Sequence, residues 1–288
     1  NEWAEQLLEL RATIVDIEAD GSPARRAKHL EWMSVAEANF EGSEFANTVD
    51  FSEYIFPGKA NFTRCTFSED VLFQATQFGD EADFSHAVFR GDAVFRLINV
   101  NRSVSFKFAK ILEEVTLEGC IFSQPIDFTC AEFRRHVDLT TCTMHPVNTY
   151  QQVKFHSGVN FSGRNLTRAK FHLCLMPNSI FRKSNLSDVG FSRASLKNCD
   201  FLGAQMDTDT SFGNSTVSGS KMDRDALECM NDKGGLTKGA FMTLDVHDDV
   251  ATLRRSYSGV PRWLHLIATL AFLFPYIWFF AARWTEAK

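Results

Sequence analysis

The side chains best suited to chemistry are seven cysteines and eight histidines. Their spacing argues against most of the chemistry they could do. The histidines stand alone at His29, His86, His136, His145, His156, His172, His247 and His265, and no CxxC or mixed Cys/His metal spacing occurs. The densest group of possible ligands is "DVHDD", Asp245 to Asp249; read as the start of a helix, it splays its members over more than one face. No phosphate loop, dinucleotide fingerprint, nucleophile elbow or HExxH zinc motif is present. The expectation is a chain that is not an enzyme, with no catalytic residue, no cofactor and no metal.

Five of the cysteines share a different property. Cys65, Cys120, Cys142, Cys174 and Cys199 occupy one place in a repeating pattern, a place elsewhere filled by Ala or Ser. The pattern opens at Ala38, with Phe40, Phe45, Phe51, Phe56, Phe62 and Phe67 at gaps of five and six. Neither a helix (period 3.6) nor a strand (period 2) gives that spacing. Written in elevens, the chain gives ANFEGSEFANT, VDFSEYIFPGK, ANFTRCTFSED and so on, eleven units from Ala38 to Gly158. The third and eighth places are apolar throughout, and the first is Ala, Val or Ile except at Asn148. From Val159 the period shortens to five, and Phe161, Phe171, Phe181, Phe191 and Phe201 alternate with Leu or Met.

A unit this short cannot bury its own apolar face and must stack on the next, which makes the chain a solenoid. Each five-residue unit serves as one side of a coil. Its central residue points inward, and so does the small residue two places before it. The 28 Phe against 4 Tyr mean that the ring tips sit where a hydroxyl would find no partner. Burying each ring is worth roughly 2–3 kcal/mol. Tyr54, Ile98 and Arg164 at the small place, and Val100 and Ile111 at the central one, depart from the pattern and predict bulges between about 90 and 115 and near 164.

The units "ANF" (38–40 and 60–62), "ADF" (82–84) and "CDF" (199–201) resemble the pentapeptide-repeat family, in its Phe-rich form with alternating five- and six-residue units. The resemblance covers about residues 38–208 and implies an all-β solenoid: a right-handed, quadrilateral parallel β-helix. Four sides per coil would give about eight coils, and a rod of about 38 Å at the ~4.8 Å strand spacing. Phe161, Phe181 and Phe201 would then stack on one face, with Phe171 and Phe191 opposite.

The ends read differently. Residues 1–37 carry one apolar stripe (Trp3, Leu7, Leu10, Ile14, Ile17) and a break at Ser22-Pro23, which predicts a helical cap that could also join two copies of the chain. The repeat domain spans 38–222, although its register loosens after Thr208. Residues 223–258 read as a helical linker, with Asp245, Asp248 and Asp249 early and Arg254 and Arg255 late, in the order a helix dipole favours. Residues 259–288 read as a transmembrane helix: Trp263–Ala282 holds twenty residues without a formal charge, ~30 Å as a helix. Trp263, Leu264, Leu266, Phe272, Phe274, Trp278 and Phe279 would face lipid or the interfaces, and Pro275 would kink the span.

Charge is uneven along the chain. Residues 1–99 carry 18 acids and 8 bases, residues 100–208 carry 9 and 13, and the remainder is balanced. That distribution gives no reason to expect nucleic acid as a partner. Arg254, Arg255 and Arg262 before the span outnumber Arg283 and Lys288 after it, which places the solenoid on the cytoplasmic side of a bacterial inner membrane. The expected function is a membrane-anchored scaffold or regulatory module with an unidentified protein partner and the lipid bilayer as its other contact. Two alternatives stand beside it. One is the cytosolic domain of a larger assembly such as an ion channel, although no TVGYG filter is present. The other, implied by the resemblance alone, is a DNA-mimicking gyrase inhibitor.

Overall fold

The structure is a computed structural model that describes residues 37–100, 102–223, 242–247 and 250–255. Its central part is a parallel solenoid made of two-residue strands. Ala38–Asn39 pairs with Ala60–Asn61, that strand with Ala82–Asp83, then Val104–Ser105 and Ile126–Asp127, each step 22 residues on. Three further sheets repeat the same step on the other sides, so every fourth strand belongs to one face and the coil has four sides. Two elevens make one turn. The strands are short because only the inward small residue, its neighbour and the central residue need extended backbone; the other residues of each side turn the corner.

The corners alternate in kind through the elevens. Ser43 N–H donates to the Phe40 carbonyl at 2.9 Å across Gly42, whose φ is 70°. This is a turn that needs a left-handed third residue. The same place recurs as Glu53, Arg64, Ala75, His86, Leu97 and Phe108, all with φ between 54° and 60°. From Arg168 to Asn198 it recurs every fifth residue. A left-handed conformation costs a non-glycine residue about 1–2 kcal/mol. The coil offsets that cost with the bonds the turn completes, such as Arg64 N–H to the Ser85 carbonyl at 2.9 Å. The Asp or Asn in each unit's second place has a related job. Its side chain accepts the N–H two residues on, as Asn61 does from Thr63 (3.1 Å) and Asp83 from Ser85 (2.9 Å).

Inside, the rings form parallel columns. Phe62 and Phe84 stack at 5.0 Å with planes 4° apart, and Phe73 and Phe95 at 5.1 Å and 3°. Rings on neighbouring sides meet edge to face, as Phe62 and Phe73 do at 5.6 Å and 83°. Both arrangements suit the ring quadrupole, at about 0.5–1.5 kcal/mol per pair beyond burial.

Several expectations need correction. Regular strand pairing extends over about six turns rather than eight; the longest sheet has six strands, ending at Lys154–Phe155. The coil then continues by single bridges, Lys154 to Leu175, Ser195 and Thr216. Among the described residues of 90–115, no bulge interrupts the pairing. Val100 pairs in register with Phe78 and Phe122, and the strands Ala93–Arg96 and Val115–Glu118 are simply longer. β-branched Val and Ile fill a central place without shifting it. The true irregularity follows Cys142, where the chain bends at Pro146 and Val147 and the step from Thr149 to Lys170 is 21 residues. After Thr208 the slip is one residue. It is taken up by a turn in which Thr210 N–H donates to Asp207 Oδ1 (3.0 Å), and Phe212, Val217 and Met222 return to the core.

The helical reading of 223–258 is corrected over the described residues 223, 242–247 and 250–255, and the rest of that linker lies outside the described residues. Met242–His247 and Val250–Arg255 are antiparallel strands, and the second pairs with Lys221–Asp223, continuing the last rung. Thr243, Val246, Val250 and Thr252 are β-branched, and this strand preference outweighs the dipole order of the charges. The hairpin also covers an edge that a solenoid otherwise leaves open to other chains. The helical cap over residues 1–36 and the span 263–282 lie outside the described residues. Among the described residues, no helix is long and apolar enough to cross a membrane.

Candidate interaction faces

The ladder residues come together on the axis. Phe161 stacks on Phe181 (5.3 Å, 22°), Phe181 on Phe201 (4.9 Å, 4°) and Phe171 on Phe191 (5.0 Å, 18°). Phe161 and Phe171 meet edge to face at 5.7 Å and 80°. All five are fully buried, so they set the spacing of surface residues and touch no partner. Trp263, Leu264, Leu266, Phe272, Phe274, Pro275, Trp278 and Phe279 lie outside the described residues.

Some outer charges are matched from one rung to the next. Arg64 meets Glu41 at 2.9 Å, Arg96 meets Glu118 at 2.8 Å, Arg135 meets Glu113 at 2.8 Å and Arg182 meets Asp200 at 2.6 Å. These pairs are mostly solvent-exposed, and screening by water leaves each of them a small contribution. An acidic column, Asp70, Asp92 and Glu114, is engaged with backbone: Asp92 N–H donates to Asp70 Oδ1 (2.9 Å) and Glu114 N–H to Asp92 Oδ1 (3.1 Å). Among the described residues no three His, Cys, Asp or Glu are grouped to hold a metal ion. An open depression lined by Gln151, Arg168, Lys170, His172 and Gly190 holds no nucleophile–base pair, and its Arg168 is paired with Asp188 at 3.4 Å.

The surface feature that spacing alone did not single out is apolar. Leu97 (59% exposed), Phe108 (41%) and Leu173 (40%) all sit at left-handed corners, with φ of 54°, 58° and 59°. His86 stacks on Phe108 at 4.8 Å, and Lys107 Nζ lies 5.8 Å from the same ring. A large apolar side chain at such a corner gains little from burial and carries the strain of the conformation. A signal was available in the sequence: all three occupy the fifth place of their unit (AVFRL, VSFKF, AKFHL), which points outward.

With the four faces and the 22-residue step in place, residues 51–98 match the model of the family described as pentapeptide repeats (9 copies). Over those residues the coil is built of pentapeptide repeats. No curated protein matches the sequence. Among solved structures, the pentapeptide-repeat protein HetL of the cyanobacterium Nostoc sp. strain PCC 7120, involved in heterocyst differentiation regulation, is similar at 14% identity. It covers 67% of this chain and 95% of its own, with a TM-score of 0.26. Full-length QnrB1, a plasmid-mediated fluoroquinolone resistance protein, is similar at 17% identity over 69% of this chain and 97% of its own, with a TM-score of 0.24. The pentapeptide-repeat assignment rests on the register and the family match, not on those scores.

Proposed function

We propose that this pentapeptide-repeat rod is a protein-interaction scaffold held at a membrane by the segment 263–282. The observation that carries the scaffold reading is the exposure of Phe108 and Leu173 at the same left-handed corner, three turns apart; Leu97, half a turn from Phe108, faces the other side. Two apolar side chains held in a strained, solvated place along one edge suit a partner surface that covers them both. A rigid coil presents such side chains at a fixed spacing, which suits recognition by a folded protein. Membrane attachment is supported by the twenty uncharged residues of Trp263–Ala282 with Arg262 and Arg283 beside them.

The two halves of this reading have separate tests. For the scaffold, a photo-crosslinking amino acid is placed at position 108 and, as control, at buried position 106, and living cells are irradiated. A discrete adduct from position 108 alone is expected; no adduct, or the same adducts from both positions, overturns the reading. For the anchor, residues 259–288 are deleted and cells fractionated. The intact chain is expected with membranes and the shortened one in the supernatant. A shortened rod that still pellets with membranes overturns attachment through this segment.

A further inference from the structure

Cys120 and Cys142 occupy the same inward place on successive turns. Thr143 N–H donates to the Cys120 carbonyl at 2.8 Å, and Ile121 bridges Thr143 in parallel register. Adjacent rungs set their Cα atoms ~4.8 Å apart, inside the roughly 4.4–6.8 Å that a disulfide spans. Their thiols also point alike: Cys120 Sγ lies 2.9 Å from the Phe95 carbonyl and Cys142 Sγ 3.2 Å from the Leu117 carbonyl. Among the described cysteines only these two are vertical neighbours. Cys174, for example, stacks between Val153 and Ala194, one turn before and one after.

The next residue in the same column is Arg164, where other turns carry Ser184 or Ala204. Its Nη1 donates to the Cys142 carbonyl, and its Nε is buried with no hydrogen-bond partner. A guanidinium in the place of a small residue is costly unless its charge has a use there.

We propose that Cys120 and Cys142 form a buried dithiol that hydrogen peroxide oxidises to a disulfide, with Arg164 as the positioning residue. In the first step the Cys142 thiolate attacks one peroxide oxygen. The O–O bond breaks, hydroxide leaves, and Cys142 becomes a sulfenic acid. In the second step Cys120 sulfur attacks Cys142 sulfur, the S–O bond breaks, and the departing hydroxide leaves as water with the Cys120 proton. Two thiols and one peroxide give one disulfide and two waters. The sulfurs together lose two electrons, which reduce the peroxide.

The division of roles follows the geometry. Arg164 Nη1 donates to the Cys142 carbonyl on the adjacent turn, and Cys120 lies one turn further from that charge. A guanidinium beside Cys142 favours a thiolate there. Cys142 is therefore the attacking thiolate and Cys120 the resolving thiol. Access comes from the irregularity next to it. Ile121–Phe122 is the last strand on its face, the next rung is held by a single bridge, and the chain bends at Pro146 and Val147. Local opening is least costly where paired backbone ends.

The test uses the full chain, treated with hydrogen peroxide, quenched, digested without reductant and analysed by mass spectrometry. The expected result is a peptide pair joining Cys120 to Cys142, two hydrogens lighter than the thiols and released by dithiothreitol. It should form about tenfold or more faster than any oxidation of Cys174. Cys120→Ser should leave a Cys142 sulfenic acid that dimedone traps, and Cys142→Ala, which supplies the usual small residue of this place, should abolish both products. Arg164→Lys should retain much of the rate and Arg164→Leu lose it, measured against Cys174 in the same sample. Oxidation of Cys120 and Cys142 no faster than Cys174, or linkage to other cysteines instead, overturns the proposal.

Discussion

Asn148 and Tyr150 meet inside the core. Asn148 Nδ2 donates to the Tyr150 hydroxyl at 3.5 Å, while its Oδ1 accepts the Ile126 N–H at 2.9 Å. Both residues are exceptions. Asn148 stands where ten of eleven units have Ala, Val or Ile, and Tyr150 stands in a column otherwise filled by Phe. Each exception explains the other. Next to the bend at Pro146 and Val147, Ile126 N–H meets the Asn148 side chain where Ala60 and Ala82 meet a backbone carbonyl of the following rung. The amide nitrogen it thereby brings into the core needs an acceptor of its own, and only a tyrosine can offer one at the ring tip. Burial accordingly pushes the Tyr150 hydroxyl well above its ordinary range.

This relationship predicts that Tyr150→Phe, although it restores the prevailing residue of the column, destabilises the coil. The substitution leaves Asn148 Nδ2 buried without a partner, at a cost of about 1–3 kcal/mol. Phe84→Tyr should cost a similar amount for the opposite reason, because its ring is stacked between Phe62 and Phe106 and a hydroxyl there would be buried among apolar side chains. Urea denaturation of the two variants checks both. A Tyr150→Phe variant as stable as the parent would mean that the long 3.5 Å contact contributes nothing.

Two glycines with opposite surroundings give a second test. A Cβ on Gly91 would lie 2.5 Å from the Glu69 carbonyl carbon and 2.6 Å from the Asp70 nitrogen, both backbone atoms of the rung before. Gly190 has nothing within 4 Å of the same position. Gly91→Ala should therefore cost about 1–3 kcal/mol by forcing two rungs apart. Gly190→Ala should be neutral or stabilise by up to about 1 kcal/mol by restricting the unfolded chain. The difference in denaturation midpoint between the two variants is the measurement, and equal midpoints would contradict the packing between turns.

The thiols offer a third. Cys65, Cys174 and Cys199 are buried, and burial pushes them up to about 11, about 12 and about 12. Cys130 is half-buried at a left-handed corner, with its Sγ 2.9 Å from Gln152 Oε1. In a Cys229→Ser background at pH 8, iodoacetamide should label native Cys130 first. Cys65, Cys174 and Cys199 should lag by roughly a hundredfold or more, because both thiolate fraction and access are low. Equal labelling would place them outside the core and undo the register.

How much of this was legible follows from what each residue answers to. Phe62 and Phe84 announce themselves because each side of the coil needs one ring on the axis, a constraint repeated at every turn. The Asn61 and Asp83 caps are legible for the same reason. The strand Met242–His247 was not, although its partner Val250–Arg255 follows almost at once, because its charges are arranged as a helix would have them. The pairing of Val250–Arg255 with Lys221–Asp223 joins segments far apart in sequence and leaves no periodic trace. Phe108 was hidden differently: its fifth place is defined by the conformation of a corner, not by burial, so hydrophobic patterning files it with the core. Arg164 was visible as a departure, but its meaning depends on Cys142 lying one turn before it, 22 residues away.

The one-residue insertion near Asp207 carries the last prediction. Burial pushes the Asp207 carboxyl upward, but N–H donors from Asp188 and Asp209 and two donors from Thr210 outweigh it and hold the group below its usual 3.8. The folded value is thus depressed. Its contribution to stability is fully present above the unfolded value of 3.8 and is lost as pH falls through the folded one. Asp207→Asn keeps an acceptor oxygen but not the charge, so it should be less stable than the parent at pH 7, where charge-assisted bonds are the stronger. That gap should narrow as pH drops below 3.8 and close once the parent carboxyl is protonated. Thermal unfolding of both chains between pH 7 and pH 2.5 tests it, since all other acids titrate alike in the two. A gap that stays constant across that range would show that the turn absorbing the extra residue is held by Thr210 alone, whose hydroxyl also donates to the Leu186 carbonyl at 2.9 Å.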